Sequence, residues 1–307
     1  MMKRILLPVL LVLLLGLCGL SLAEDRVLVP DSEWQPPDLS EATTENPELL
    51  LLKVAQEELG YTEEHSGYTK YGDWFGTPYC QWCSEFITWC VNEVDTRYGT
   101  ELMDNLYPYY GKPKEGAPFF IKHGRFVSSN GTLPSASKSK QWWAETGEYL
   151  QNNEYIPYPG DYMWLYVPGF NNNETSHVAL VEGVSLTEDG DVTIHVIEGN
   201  MPDKVQRATY LLSDYHIYGF GTPVRRVETE CRLTNHRDDV VTAKTWLKAL
   251  GYYTKENMTD EFTEALKKSV IKFQKANGLK AGGTLNKDTW QALQAAAAAL
   301  ETTETQE

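Results

Sequence analysis

Cys83, His177 and Glu198 are three residue types that a nucleophilic cysteine site needs, and they lie on separate segments of the chain. A thiolate attacks a carbonyl carbon, an imidazole carries the proton, and a carboxylate or amide fixes the tautomer of that imidazole. Asn200, which follows Glu198 by two positions, is a second candidate for this orienting role. The residues predict acyl-transfer chemistry if the fold brings the segments together.

The sequence around Cys83 predicts that this cysteine begins a helix. The breaker Gly76-Thr77-Pro78 comes first, and Trp82, Phe86 and Trp89 then follow at helical spacing. Free backbone amides and the helix dipole at such a start stabilise a thiolate, which is the reactive form of cysteine. Because most buried cysteines are inert, the helix position alone does not establish a nucleophile.

Cys80 and Cys83 also form a C-x-x-C pair, which offers two other interpretations. A thioredoxin-like redox pair needs a βαβ context, whereas the residues before Cys80 indicate a turn. A structural zinc site needs a second pair of ligands at close spacing, which Cys90 and Cys231 do not provide. If Cys83 stays a free thiolate, at most one disulfide forms among the other three, and the sequence does not choose the pair.

His177 is expected at the end of a strand. It opens the strand 177–184, and the turn signal at 188–191 links that strand to the strand 192–197 as a hairpin. A turn centred near residue 189 places His177 opposite a residue close to 201. A small slip in register then puts one of the two orienting candidates beside the imidazole ring.

The first 23 residues predict a secretory leader. Lys3-Arg4 precede an apolar run from Ile5 to Leu20, and small residues at 21–23 favour cleavage after Ala23. An uncleaved anchor needs about 18 apolar residues, and the shortness of the run favours cleavage instead. We therefore expect a secreted, extracellular protein without stable membrane insertion.

Charge and length limit the class of protein. The 307 residues carry a formal charge of −16, which becomes −18 once the leader with Lys3 and Arg4 is removed. Such an acidic chain is a poor partner for nucleic acid, whose phosphates repel it. The roughly 284 mature residues exceed a typical domain, so two domains are expected.

Composition sets the domain boundaries. Residues 24–46 are rich in Pro, Glu, Asp and Thr and predict a disordered linker. A first folded unit covers 47–226, and charged and turn residues at 227–237 predict a second linker. Helical periodicity dominates 238–297, and 298–307 predicts a disordered tail.

The two units differ in fold class. The first combines a helix at 49–59 with strands at 161–167, 177–184 and 192–197, which predicts an α+β domain with an antiparallel sheet. A further helix is predicted over 139–149. The second unit predicts a small all-α domain of three short helices with a small core.

Four short motifs of the first unit, in this order, resemble the CHAP family of cysteine, histidine-dependent amidohydrolases/peptidases. They are QWCSEFI at 81–87, PGD at 159–161, SHVALV at 176–181 and IEGN at 197–200. The resemblance covers roughly residues 48–224 and implies a papain-like core that cuts bacterial peptidoglycan. It implies that no cofactor or metal is needed, and no convincing calcium loop of alternating acids is present.

The resemblance assigns a role to each site residue. It implies that Cys83 attacks, that His177 acts as base and then as acid, and that Glu198 orients His177. Asn200 is the second choice for orientation, or an added polar contact. Cys80 and Cys90 around the nucleophile depart from the common pattern, which leaves the redox state open.

The second unit is similar to the three-helix peptidoglycan-binding domain. The matching segments are WLKALGYY at 246–253, VIKFQKANGL at 270–279, GTL at 283–285 and TWQAL at 289–293. Its glycine-rich turn at 281–283 has fewer acids than the usual pattern. Phe273, Gln274 and Trp290 are expected to pack within the domain, so no glycan contact is assigned.

Three functions follow as hypotheses. The first is a cell-wall-associated hydrolase that acts on peptidoglycan as a monomer. It is either an amidase that cuts between muramic acid and L-alanine or an endopeptidase that cuts within the peptides. The second is a non-catalytic wall-binding or structural protein with an inactive hydrolase fold. The third is a thiol oxidoreductase that uses Cys80 and Cys83.

Overall fold

A computed structural model describes residues 28–128, 142–143, 155–166, 176–224, 228–229 and 231–304. Four helices come first, and α3 is the longest of them. Their bounds are α1 Pro47–Glu57, α2 Lys70–Phe75, α3 Cys83–Tyr98 and α4 Pro113–Lys122. Pro47 at the first turn of α1 fits the fixed φ that a helix start requires.

The described residues then form eight strands. They are β1 Phe126–Ser128, β2 Trp142–Trp143, β3 Tyr162–Leu165, β4 His177–Leu186, β5 Val192–Glu198, β6 Gln206–Leu211, β7 Ile217–Gly221 and β8 Glu228–Thr229. Six form one sheet in the order β1-β7-β3-β4-β5-β6, and β2 pairs separately with β8. All pairs between these strands are antiparallel, which confirms the predicted α+β class with an antiparallel sheet. The papain-like arrangement stays a prediction.

The hairpin of β4 and β5 contains a bulge that changes its register. Val184 pairs with Ile194 but Val181 pairs with Val196, so Glu182 is the extra residue. The buried Glu182 carboxylate accepts two hydrogen bonds of 2.8 Å from Arg207 and one of 2.7 Å from Gln56. These contacts compensate the buried charge and hold the bulge in place.

Apolar side chains cover both faces of the large sheet. One face packs against α1, α3 and α4 through residues such as Trp164, Leu180 and Phe120. The other face buries a second cluster that includes Met163 and Val196. Because α3 lies on the first face, its start is positioned by the same core that orders β4 and β5.

The segment 28–46 differs from the predicted disordered linker. Trp34 stacks on His195 with ring centroids 3.6 Å apart, and Leu39 is buried. Asp31 accepts hydrogen bonds from Ser185, at 2.5 Å, and from Thr193, at 3.0 Å. Two apolar side chains and one paired carboxylate are enough to order a segment whose overall composition is polar.

The predicted helix over 139–149 lies largely outside the described residues. Only Trp142–Trp143 of that stretch are described, and they form a strand instead of a helix. Among the described residues, none of the helices combines the length and apolar character that a bilayer span demands.

The C-terminal unit consists of α5 Asp238–Ala249, α6 Glu264–Ala276 and α7 Lys287–Glu304 around their own core. It begins earlier than predicted, because Cys231 is buried in that core and its backbone pairs with Leu285. It also ends later than predicted. The helix continues to residue 304 because a run of alanines favours helix over a disordered tail.

Gln274 joins α6 to the loop before α7 and gives a test of this unit. Its buried amide donates to the Thr284 carbonyl (2.8 Å) and to Thr289 Oγ1 (2.9 Å), and accepts from the Gly283 amide (2.9 Å). Gln274→Ala removes this partner from the buried Thr284 carbonyl and Gly283 amide, so we expect the free energy of unfolding to fall by about 3 kcal/mol. Hydrogen exchange of α6 in the full chain should accelerate about 100-fold. The exposed Gln291→Ala is the control, and equal exchange in both variants contradicts the prediction.

Candidate active site

Cys83 is the first residue of α3, as the sequence predicts. Its side chain is 3% exposed, and the preceding Trp82 provides no side-chain cap for the helix. The first backbone amides of α3 have no carbonyl of a preceding turn as hydrogen-bond acceptor. Their partial positive charge therefore lies at the helix start, where Cys83 is located. The Trp82 indole donates to Glu63 at 3.0 Å and anchors this start.

His177 and Glu198 meet across the hairpin. His177 begins β4 and Glu198 ends β5, and both are at least 97% buried. The His177 ring nitrogen Nε2 lies 3.0 Å from Glu198 Oε2. The Cys83 side chain is a second hydrogen-bond partner of His177, and it contributes to the raised pKa of the imidazole. The three predicted residues therefore come together.

Asn200 lies elsewhere. Its Nδ2 donates to Gln81 Oε1 at 2.6 Å instead of contacting His177. Asn200 adopts a positive φ of 64°, which directs the chain away from the strand after Glu198. The structure thus places Glu198, and not Asn200, in contact with His177, whereas Asn200 contacts the segment before Cys83.

Gly199 allows the end of β5 to approach the start of α3. A Cβ added at Gly199 would lie 2.6 Å from Trp82 Cζ3 and 3.1 Å from Phe86 Cδ1. Any side chain at position 199 would push these elements apart. Glycine at this position therefore belongs to the geometry that joins His177 to Cys83.

Two residues of β6 hold Glu198, and sequence reasoning missed both. Tyr210 donates to Glu198 Oε2 at 2.9 Å, and Gln206 donates to Glu198 Oε1 at 3.2 Å. They are four positions apart in one strand, which places them on the same face. That spacing of polar residues in the strand after Glu198 is the signal that could have identified them.

The pKa of His177 reflects opposing causes. Burial by itself favours the neutral ring and lowers the pKa. Hydrogen bonds to Cys83 and Glu198, together with the negative charges of those groups, outweigh burial and raise the pKa from 6.5 to about 10. Since the folded-state pKa lies above the unfolded value, the imidazolium stabilises the folded protein fully below pH 6.5. This contribution is lost as the pH rises through about 10.

NMR titration of the labelled imidazole carbons tests this environment. We expect His177 to titrate near pH 10, and His195, whose pKa is lowered by burial, to titrate below its ordinary value. Cys83→Ser should move the His177 midpoint down because it removes the sulfur that helps to raise the pKa of His177. A wild-type His177 midpoint at or below 6.5 contradicts the geometry of the pair.

Cys80 and Cys90, the cysteines nearest to Cys83 in the chain, differ in exposure. Cys80 is exposed and Cys90 is buried, and both are free thiols, so none of the pairings considered among Cys80, Cys90 and Cys231 is formed. Burial raises the pKa of the Cys90 thiol well above its ordinary value, which keeps it protonated. Within the described ranges, no cluster of three or more His, Cys, Asp or Glu side chains could hold a metal ion.

The described residues comprise an α+β unit, in which Cys83, His177 and Glu198 are buried, followed by a helical unit with its own core. Residues 236–293 match the PG_binding_1 family model, which describes a peptidoglycan binding domain. The C-terminal region is thus a peptidoglycan-binding domain, which supports peptidoglycan as partner and association with the cell wall.

Two solved structures show sequence similarity to parts of the chain. One is a peptidoglycan-binding protein from Clostridioides difficile in complex with glutamine hydroxamate, at 23% identity over 46% of this chain and 75% of that chain, with a TM-score of 0.20. The other is a periplasmic domain of the EpsAB fusion protein of the Vibrio vulnificus type II secretion system, at 17% identity over 44% and 55%, with a TM-score of 0.20. No curated protein matches the chain significantly.

Proposed function

We propose that this protein is a secreted cysteine hydrolase that cuts amide bonds in bacterial peptidoglycan and is held on the wall by its C-terminal domain. The observation that carries the proposal is the contact of His177 with both Cys83 and Glu198 at the start of α3. A structural cysteine needs neither a helix start nor a paired imidazole. The resemblance of the motifs around these residues to the CHAP family supports the same chemistry.

The proposed reaction proceeds in two steps. The Cys83 thiolate attacks the carbonyl carbon of the amide, and His177 gives its proton to the leaving amine, which departs as the C–N bond breaks. A thioester joins the acyl group to Cys83. The neutral His177 ring then takes a proton from water, whose oxygen attacks the thioester and releases the carboxylic acid and Cys83.

Two groups near Cys83 in the chain could donate hydrogen bonds to the transient oxyanion in this proposal. The backbone amide of Cys83 lies at the free N-terminus of α3 and is the first donor in the proposal. Gln81 is the second, because Asn200 occupies its Oε1 and leaves the Nε2 amide to donate. Asn200 then has a role that is separate from orientation of the imidazole.

The substrate class is supported by the second domain. A peptidoglycan-binding domain at 236–293 keeps the α+β domain at high effective concentration on its polymer. Both an N-acetylmuramoyl-L-alanine amidase and an endopeptidase fit this arrangement, because both cut amide bonds of peptidoglycan.

Incubation of the mature protein with purified sacculi tests the proposal. We expect new amino groups to appear in the released fragments without new reducing ends, and mass spectrometry of the fragments identifies the bond. Binding to sacculi without any release would overturn the hydrolase and leave the non-catalytic wall-binding protein.

A further inference from the structure

Three aromatic side chains form an exposed cluster next to the candidate active site. Trp74 and Phe75 end α2, and Tyr109 lies in the loop before α4. Phe75 and Tyr109 stack with ring centroids 4.8 Å apart, and Trp74 meets Tyr109 edge-on at 6.1 Å. Trp74 is 37% exposed and Tyr109 is 51% exposed. We call Trp74, Phe75 and Tyr109 the aromatic platform.

The platform is held in place by its surroundings. A Cβ added at Gly111 would lie 2.7 Å from Phe75 Cε1, so the backbone at Gly111 is in close contact with the ring. The Tyr109 amide donates to Asp104 Oδ1 at 2.9 Å, which fixes the loop. Exposed rings in fixed positions lose little conformational freedom when a ligand covers them.

The platform is joined to the helix that begins at Cys83. Tyr110, the next residue after Tyr109, is 3% exposed and lies in the same buried core cluster as Cys83. The Tyr110 carbonyl accepts a hydrogen bond of 2.8 Å from Thr88 Oγ1 on α3. The platform is therefore adjacent in the chain to a residue that packs against α3.

We propose that the aromatic platform binds the sugar rings of the peptidoglycan glycan strand and positions the strand next to Cys83. A pyranose ring has one face made largely of C–H groups, and such a face packs on an exposed indole or phenol ring. The hydroxyl and acetamido groups at the rim of the sugar stay in water. This inference rests on the proposed function, because it names the part of the substrate that the site recognises.

Other occupants fit the platform less well. The chain carries a formal charge of −16, and Asp73 is exposed next to Trp74, so a polyanion is disfavoured. Three partly exposed rings are also far smaller than the roughly 800 Å² that each partner buries in a stable protein interface. A neutral sugar face matches the small area of the platform and is not repelled by the negative charge of the chain.

Fluorine NMR of the 5-fluorotryptophan-labelled full chain tests the proposal. The probe is a peptide-free tetrasaccharide of the peptidoglycan glycan strand. We expect the Trp74 resonance to shift saturably, and Tyr109→Ala to weaken the affinity at Trp74 about fivefold, the loss expected for one aromatic contact. Trp246 and Trp290 report separately on the C-terminal domain in the same spectrum.

Tyr215→Ala is the matched control, because Tyr215 is 80% exposed and contacts the ring of His216, outside the platform. We expect this variant to bind the tetrasaccharide like the wild type. An unmoved Trp74 resonance, or equal affinity in Tyr109→Ala and wild type, would overturn the proposal. If the wild type sediments as a larger species and Tyr109→Ala does not, the platform mediates self-association, and the proposal is also overturned. Because the titration needs no bond cleavage, its outcome is independent of whether the protein is a hydrolase.

Discussion

Cys83→Ala is expected to abolish release of fragments from sacculi, with a fall in rate of at least about 10⁴-fold. Without the sulfur no thioester forms, and the remaining groups contribute only positioning and oxyanion stabilisation. The substitution removes one buried atom at the first residue of α3, so the fold and the separate C-terminal domain should persist. Fragment release is measured by mass spectrometry, and wall retention by co-sedimentation with sacculi.

Cys80→Ser is the control for this variant. Cys80 lies three residues before Cys83 and is an exposed free thiol. Its loss should therefore leave the rate of fragment release within about twofold of the wild-type rate. A thiol oxidoreductase requires the opposite result, because both sulfurs then take part in each turnover. If Cys83→Ala releases fragments at the wild-type rate, Cys83 is not the nucleophile and the proposed mechanism is wrong.

Glu198→Gln is expected to lower kcat/KM by about 100-fold and to change its pH dependence. The substitution keeps the size of the side chain but removes the charge that favours the imidazolium of His177. In the wild type the imidazolium of His177 is lost as the pH rises through about 10, so activity should fall there. In Glu198→Gln the pKa of His177 is lower, and the fall should begin at lower pH. The measurement is kcat/KM against pH on a soluble muropeptide.

Two further variants distinguish the orientation of His177 by Glu198 from other effects on the reaction rate. Tyr210→Phe removes one hydrogen bond to Glu198, so it should shift the pH profile of kcat/KM in the same direction by a smaller amount. Asn200→Ala should lower kcat through Gln81 without shifting the profile, because Asn200 does not contact His177. A shift in Asn200→Ala, with none in Glu198→Gln, would reverse the two assignments.

Local patterns were sufficient to predict each element that carries a site residue. The breaker at 76–78 and the apolar spacing after it predict the start of α3 at Cys83. The acidic turn at 188–191 predicts the hairpin that brings His177 near Glu198. Both signals act over a few residues, where backbone conformation and side-chain periodicity depend on neighbours in the chain.

The choice between Glu198 and Asn200 required the tertiary structure. The bulge at Glu182 shifts the pairing of β4 with β5 by one residue, and it depends on contacts with the distant Arg207 and Gln56. Asn200 is held away from His177 by its hydrogen bond to Gln81, another distant contact. No pattern within the hairpin predicts those contacts. A shift of one residue in a strand also reverses the face on which each side chain lies.

By itself, the amino-acid sequence determined that this chain contains an antiparallel α+β unit, a helix beginning at a cysteine, and a helical peptidoglycan-binding domain. Only the tertiary structure decided that Glu198 holds His177, that Gln206 and Tyr210 hold Glu198, and that Trp34 orders the segment 28–46. Helices and turns follow from neighbouring residues. Hydrogen bonds and ring contacts between distant segments depend instead on the packing of the whole sheet against its helices.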